Sequence, residues 1–283
     1  MSTKPPIAVL GSGTMGHGIA YVALAAGYPT RLYDVSTTQL ARATSQIHAI
    51  AAKGVELGKV TAADAEAWRA ALVTTTSVAE AVADAQLVIE AAPEKMDLKL
   101  ALLAEVQAAA PAQAIVASNT SALSITEMAA VLDRPGRMGG MHFFNPVHKM
   151  KLVEIVRALE TSEETIRAMT EVAQAMGKET VLIRESPGFA TSRINAMIGN
   201  EAFYMLQEGV GSARDIDKAL KLGLNHPMGP FELVDLVGLD TRLSILQYLH
   251  RTLGEKFRPC PLIEQYVRAG RLGKKVGRGV YDY

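Results

Sequence analysis

Residues 6–27, PIAVLGSGTMGHGIAYVALAAG, decide how this chain folds. Residues 6–10 form a short apolar run that reads as a buried strand. Helical periodicity follows from about Thr14 to Ala26, and Gly27 supplies the stop. Between the two stand Gly11, Gly13 and Gly16 in the spacing G-x-G-x-x-G. Glycine weakens strands and helices alike, so three at one junction demand a reason. The first permits a tight turn, the second lets the backbone approach a pyrophosphate, and the third permits close helix–strand packing. The helix N-terminus directs unpaired N–H groups and partial positive charge at the same place. Gly11, Gly13, Thr14, Met15 and Gly16 are therefore the candidate cofactor loop.

The second strand, PTRLYD, ends at Asp34, eighteen residues after Gly16. A carboxylate there accepts hydrogen bonds from the 2′- and 3′-hydroxyls of a ribose and repels a 2′-phosphate. That favours NAD over NADP. The bland reading is a glycine turn and an ordinary surface aspartate. FAD shares the fingerprint, and this stretch alone leaves it open.

Outward from this unit the alternation continues. Residues 36–72 read as a long helical hairpin broken near Gly58, with Thr61 as a cap three residues before Asp64. Strands are expected at 86–92, 113–118, 137–144, 151–157 and 180–183. Helices are expected at 95–109, from the capping box Ser124–Glu127 onward, and from a Thr161–Glu164 cap to Gly177. Strand–helix alternation of this kind predicts an α/β fold: a Rossmann-type, mostly parallel sheet with helices on both faces. After Ser186-Pro187-Gly188 strand signals vanish. Residues 189–209, 213–222, 230–253 and 260–270 are helix-patterned, and Ser212 with Asp215 caps one of them. The expected division is a cofactor-binding domain over 1–185 and an all-α domain over 186–283.

Bulk properties exclude several classes. Lys+Arg equals Asp+Glu at 29 each, so no global field favours nucleic acid or an anionic membrane. A single cysteine, Cys260, excludes an internal disulfide and fits a reducing compartment. MSTKPP lacks the apolar core of a signal peptide, and no uninterrupted apolar stretch is long enough to cross a bilayer. The reading is a soluble, cytoplasmic protein.

His142 lies in the otherwise apolar GMHFFNPV, followed by Asn145, and Glu154 lies in the next strand. An isolated histidine on an apolar strand is commonly a satisfied core residue. If the two strands are neighbours, Glu154 fixes the imidazole tautomer and His142 becomes a general base for alcohol oxidation. No tyrosine is followed four residues later by lysine, and one cysteine with scattered histidines argues against a catalytic zinc. No metal site is expected.

These residues carry a resemblance to the L-3-hydroxyacyl-CoA dehydrogenase family, particularly its bacterial 3-hydroxybutyryl-CoA members. The matching stretches are GSGTMGHGIA, VIEAAPE, SNTSALSIT, GMHFFNPV, LVEIV, SPGFATSRI, HPMGPFELVDLVGLD and GKKVGRGVYDY, in the family's order over nearly the whole chain. The resemblance implies NAD as cofactor and an acyl-CoA substrate. It implies His142 as general base with Glu154 as its charge partner, Ser121 on the substrate oxygen near the nicotinamide, and Asn145 at the cofactor and active site. Asp34 is implied at the adenosine ribose, and Glu94, Lys99 and Lys275 at the cofactor. Lys99 and Lys275 also read as solvated surface charges.

One departure stands out. Where the family shows G-F-x-x-N-R, this chain has Gly188-Phe189-Ala190-Thr191-Ser192-Arg193. A serine cannot donate and accept over the reach of an amide, so Asn195, three residues on, is the candidate to share the substrate contact with Ser192. In the family the 36–72 hairpin helps hold CoA, which makes Lys53 and Lys59 candidates for its phosphates. The acyl chain is expected where the two domains meet, and the resemblance implies a homodimer through residues 190–283. Two other readings stay open: a relative acting on a free hydroxy acid of the gulonate or carnitine type, and a non-enzymatic NAD-binding structural protein.

Overall fold

The computed structural model describes residues 4–283, so the first half of MSTKPP lies outside the described residues. The chain divides into two compact units, one ending at Glu185 and the other running Ser186–Tyr283.

The first unit is an eight-stranded sheet in the order β3-β2-β1-β4-β5-β6-β7-β8. Its strands are β1 (Ile7–Leu10), β2 (Thr30–Tyr33), β3 (Leu72–Thr75), β4 (Leu87–Glu90), β5 (Ile115–Ser118), β6 (Met138–Phe143), β7 (Leu152–Arg157) and β8 (Glu179–Arg184). Helices α1 (Gly16–Ala25), α2 (Thr37–Glu56), α3 (Ala62–Ala71), α4 (Val78–Val82), α5 (Met96–Ala109), α6 (Ile125–Ala129) and α7 (Glu163–Ala175) connect them. All pairs are parallel except β6 with β7. The exception follows from chain length: only residues 144–151 separate those strands, and a parallel crossover needs a dozen or more. The strands β1, β4, β5 and β6 are buried along their length, as apolar runs covered on both faces must be.

Two local expectations need correction. Leu72–Thr75 continues the sheet as an edge strand against β2, and α4 follows it, where the helical pattern had been carried to residue 72 without either. The β-branched Val73, Thr74 and Thr75 favour extension there. Helix α7 is capped by Ser162, whose hydroxyl accepts from Thr165 N at 3.2 Å. Thr161 is engaged elsewhere: its Oγ1 donates to Met138 O at 2.7 Å and accepts from Ala158 N. The 36–72 excursion is two helices, capped by Ser36 and Thr61.

The second unit is helical: α8 (Thr191–Gln207), α9 (Ala213–Gly223), α10 (Pro230–Val237), α11 (Leu239–Leu253) and α12 (Pro261–Arg268). The expected helix over 230–253 is divided at Gly238, whose φ of +103° no helix accommodates. Phe203, Phe231, Leu246, Leu249, Phe257 and Ile263 form its core. Two buried aspartates fasten the C-terminal tail. Asp235 accepts from Val280 N, Tyr281 N and the Tyr283 hydroxyl, and Asp217 accepts from Phe231 N, Glu232 N and the Tyr281 hydroxyl.

Candidate active site

The glycine loop leaves β1 through Gly11, which has φ +104°, and its N–H donates to Tyr33 O at 2.9 Å. A Cβ on Gly16 would fall 1.7 Å from the Gly11 carbonyl oxygen, so the third glycine lets the loop close on itself as well as on the strand. A Cβ on Gly13 would meet nothing within 4 Å, which leaves its backbone open to a ligand. Helix α1 has no side-chain cap, so its first N–H groups face this space unpaired by the protein's side chains. Asp34 is tied to the loop: Oδ2 accepts from Ser12 N (2.9 Å) and Ser12 Oγ (2.8 Å), and Oδ1 accepts from Ser36 N (3.1 Å). Gly11, Gly13, Thr14, Met15, Asp34 and Pro93 lie on one cavity of about 760 Å³. A cradle without side chains, an open helix N-terminus and a carboxylate at the second strand end fit a dinucleotide.

Beyond the ends of β4 and β5 lies a buried polar cluster. Glu90, Lys99 and Ser118 have no exposed surface. Lys99 Nζ donates to Glu90 Oε1 (2.7 Å), Glu90 Oε2 (2.8 Å) and Ala92 O (3.1 Å), and lies 3.7 Å from Glu94 Oε2. The ammonium is thus no surface charge, which corrects the reading of Lys99 as a solvated side chain. Glu94 faces the Ser121 loop: its Oε1 accepts from Thr120 Oγ1 (2.6 Å), Ser121 N (2.9 Å) and Ala122 N (3.3 Å). Ser121 itself is half-buried.

His142 and Glu154 stand directly opposite each other in the antiparallel β6–β7 register. Period-two alternation puts both side chains on one face of the sheet. His142 Nδ1 lies 2.7 Å from Glu154 Oε2, and the two side chains are 6% and 0% exposed. The Phe144 ring lies 4.5 Å from the imidazole, centroid to centroid. Asn119 Oδ1 accepts from Phe143 N at 2.8 Å, fastening the loop that carries Ser121 to the strand that carries His142. Asn145 is exposed on the following loop, and that loop is held by the buried Lys178 through the Val147 and Met150 carbonyls. Burial pushes the Lys178 ammonium below the usual lysine range.

The remaining candidates lie on other elements. Lys53 and Lys59 are exposed on the hairpin, and Lys53 is bonded to Glu56 at 2.7 Å. Ser192 and Asn195 share the first turns of α8, both half-buried. Lys275 holds both Asp240 oxygens at 2.6 Å. Sequence reasoning missed Glu90, Ser118, Asn119, Thr120 and Lys178. The signal for Glu90 was available: an acid ending an otherwise apolar strand, nine residues before a lysine. Among the described residues no group of three or more His, Cys, Asp and Glu side chains is arranged to hold a metal, and no helix is long and apolar enough to cross a membrane.

Residues 6–186 match the NAD-binding domain of the 3-hydroxyacyl-CoA dehydrogenases, and residues 188–283 match the C-terminal domain of the same enzymes. The chain is 45% identical to a probable 3-hydroxybutyryl-CoA dehydrogenase of Bacillus subtilis, over 98% of this chain and 96% of that one. It is equally identical to a 3-hydroxybutyryl-CoA dehydrogenase of Bradyrhizobium diazoefficiens, over 98% and 94%. Its fold superposes on the crystal structure of (S)-3-hydroxybutyryl-CoA dehydrogenase from Ralstonia eutropha with a TM-score of 0.94, at 39% identity and 99% coverage of both chains. With the glycine cradle, the acidic strand end and the two domain matches in one order along its length, this chain belongs to the 3-hydroxyacyl-CoA dehydrogenase family.

Proposed function

We propose that this chain catalyses the reversible, NAD-dependent oxidation of (S)-3-hydroxyacyl-CoA thioesters, 3-hydroxybutyryl-CoA foremost, to 3-ketoacyl-CoA. The observation that carries the reading is the buried His142–Glu154 pair at 2.7 Å. A carboxylate only accepts, so Glu154 selects the tautomer with the proton on Nδ1 and leaves Nε2 as the basic nitrogen. His142 then takes the 3-hydroxyl proton at Nε2, and Glu154 stabilises the resulting imidazolium. Ser121, on the loop held by Glu94, is assigned to hydrogen-bond the same substrate oxygen, and Asn145 to orient substrate and cofactor. NAD, when bound, supplies the acceptor for the C3 hydride. Gly11, Gly13, Thr14, Met15 and Gly16 would hold its pyrophosphate and Asp34 its adenosine ribose. Lys53, Lys59, Ser192 and Asn195 remain the candidates for CoA and acyl contacts, and Lys275 for a cofactor contact from the helical unit.

The experiment is NADH consumption with 3-ketoacyl-CoA substrates of four to sixteen carbons, beside free hydroxy acids of the gulonate and carnitine type with NAD. Turnover of the thioesters, strongest at short chain length, is expected. Turnover of free acids alone overturns the substrate class, and NADH binding without any turnover assigns a structural role. His142→Ala should lower kcat by about 10²–10⁴-fold while NADH fluorescence still reports binding. The same reading includes a cytoplasmic homodimer joined through residues 190–283. Ile194, Leu222 and Leu224, exposed at 59%, 76% and 65%, support it. Light scattering that gives a monomer at every concentration contradicts it.

A further inference from the structure

We infer that Arg242 is a carboxylate-binding site inside the helical unit, met either by the far end of a dicarboxylic acyl group or by a small free carboxylate. The acyl source rests on the contacts proposed for Ser192 and Asn195. The buried residues of α11 are Leu239, Arg242, Leu246 and Leu249, so a cation stands in a row of leucines. Arg242 is 2% exposed. Among the described residues no hydrogen bond or ion pair reaches its guanidinium, and Nε is buried without a partner. Burial pushes the group down to about 10, which leaves it a cation at neutral pH. A guanidinium carries five N–H donors in a planar fork and accepts nothing. A buried charge without a counter-charge is strongly destabilising, so this one calls for a partner.

The helical unit does not supply that partner. Its other buried polar side chains are Asn200, Asp217 and Asp235. Asn200 donates to Arg258 O and accepts from Cys260 N. Asp217 is bonded to Phe231 N, Glu232 N and the Tyr281 hydroxyl, and Asp235 to Val280 N, Tyr281 N and the Tyr283 hydroxyl. The counter-charge therefore comes with a ligand. A planar fork matches a carboxylate through two parallel hydrogen bonds, and a carboxylate brings one charge to meet one. Its place follows from what Arg242 lies against. A Cβ on Gly199 would fall 3.8 Å from Arg242 Nε and 4.0 Å from Cδ, so the bare backbone of α8 gives the guanidinium its bed. Gly199 follows Asn195 by four residues and Ser192 by seven, which puts all three on one face of that helix. Arg242 thus borders the proposed acyl contacts two turns beyond Ser192, about 10 Å along the axis. A neutral acyl chain leaves this cation unpaired, and one that ends in a carboxylate pairs it.

The test has two arms, each run on wild type and Arg242→Met. In the first, melting temperature is followed as acetate or adipate is added, with acetamide as the uncharged control. A free carboxylate that fills the site raises the wild type by about 5 °C at saturation and leaves the variant unmoved. In the second, NAD oxidises 3-hydroxyadipyl-CoA and 3-hydroxyhexanoyl-CoA, equal in length and different in terminal charge. If the substrate supplies the carboxylate, Arg242→Met lowers kcat/KM for the first relative to the second by about 10- to 100-fold. An unchanged ratio with a wild-type-only melting shift makes the ligand a free carboxylate and still supports the site. No response in either arm overturns the proposal. So does weaker self-association of the variant by light scattering with both arms silent, which gives the counter-charge to a second copy of the chain. If Arg242→Met does not fold, Arg242→Lys keeps the charge and loses the fork: a weakened response in either arm supports the site, and wild-type responses in both overturn it. A wild-type protein inactive on every thioester sinks the proposed activity instead, and the melting arm then decides alone whether Arg242 binds a carboxylate.

Discussion

Replacing Glu154 with glutamine changes almost nothing in volume and removes one charge. The carboxylate lies 2.7 Å from His142 Nδ1, with Glu154 fully buried and His142 nearly so. In the wild type that contact, already charge-assisted by the carboxylate, becomes an ion pair when the imidazole is protonated. A hydrogen bond to a charged group contributes about 1.5–3 kcal/mol against about 0.5–1.5 for a neutral one. The Coulomb attraction between unit charges about 4 Å apart is about 4 kcal/mol at an effective dielectric near 20. Glutamine keeps the neutral part and loses the rest, so the transition state is raised by about 2–4 kcal/mol, or roughly 30- to 1000-fold in kcat. The amide can also turn its NH₂ toward Nδ1, which moves the ring proton to Nε2 and blocks the base. Steady-state oxidation of 3-hydroxybutyryl-CoA by NAD, with NADH fluorescence for binding, reads the effect. A folded Glu154→Gln enzyme within about threefold of wild-type kcat, a loss below ~1 kcal/mol, would refute the idea that this carboxylate stabilises the imidazolium.

Gly16→Ala places a methyl group 1.7 Å from the Gly11 carbonyl oxygen, so the loop must open. NADH affinity measured by fluorescence should fall by at least about tenfold, and unchanged affinity would contradict the loop assignment. Asp34→Ser removes the acceptor for Ser12 and Ser36 and for the proposed ribose hydroxyls. NADH affinity should fall by about 10- to 100-fold, the loss of a charged hydrogen bond of ~1.5–3 kcal/mol, while NADPH affinity should fall less; equal losses for both cofactors would sink the ribose role. Lys221→Met tests a pH dependence. The hydrogen bond from Lys221, then that from Gly229 N, holds the Glu232 carboxyl below the usual carboxylate range. The stabilisation is therefore present above the ordinary glutamate value and lost as pH falls through the lowered one. Melting curves of wild type and variant should differ modestly near neutrality, by about 0.3–1 kcal/mol for so exposed a pair, and converge in acid; a constant gap would contradict the linkage.

The parts of this molecule that are legible in the sequence are those encoded by local pattern. The glycine spacing, the strand before it and Asp34 after it specify a phosphate turn within one βαβ segment, and the structure builds it there. Hydroxyl caps were legible where the hydroxyl had no rival partner, as at Thr61 and Ser212. At residues 161 and 162 two hydroxyls compete, and the Met138 carbonyl, distant in sequence, takes Thr161 and leaves the cap to Ser162. The β3 strand was hidden because its three β-branched residues end a helical pattern, and pairing with β2 decides their conformation. Lys99 illustrates a signal present but discounted. It lies three, four and seven residues before Leu102, Leu103 and Val106, all buried, so helical periodicity already put it on the inner face of α5. A charge at such a position needs a partner, and Glu90 was in the preceding strand.

The antiparallel pairing of β6 with β7 has a consequence for how this part of the chain can change. Moving β7 by a single residue along β6 would bring Val153 or Ile155 across from His142 and swing Glu154 to the far face of the sheet. Moving it by two would offer Leu152 or Val156, both without charge. An offset of one or two residues in either direction leaves the imidazole facing hydrocarbon. The connection over residues 144–151 must therefore keep its length: any insertion or deletion that it cannot absorb as a bulge disarms the histidine. Change in this link has to come by substitution away from Asn145 and the buried Val147, with the number of residues held constant.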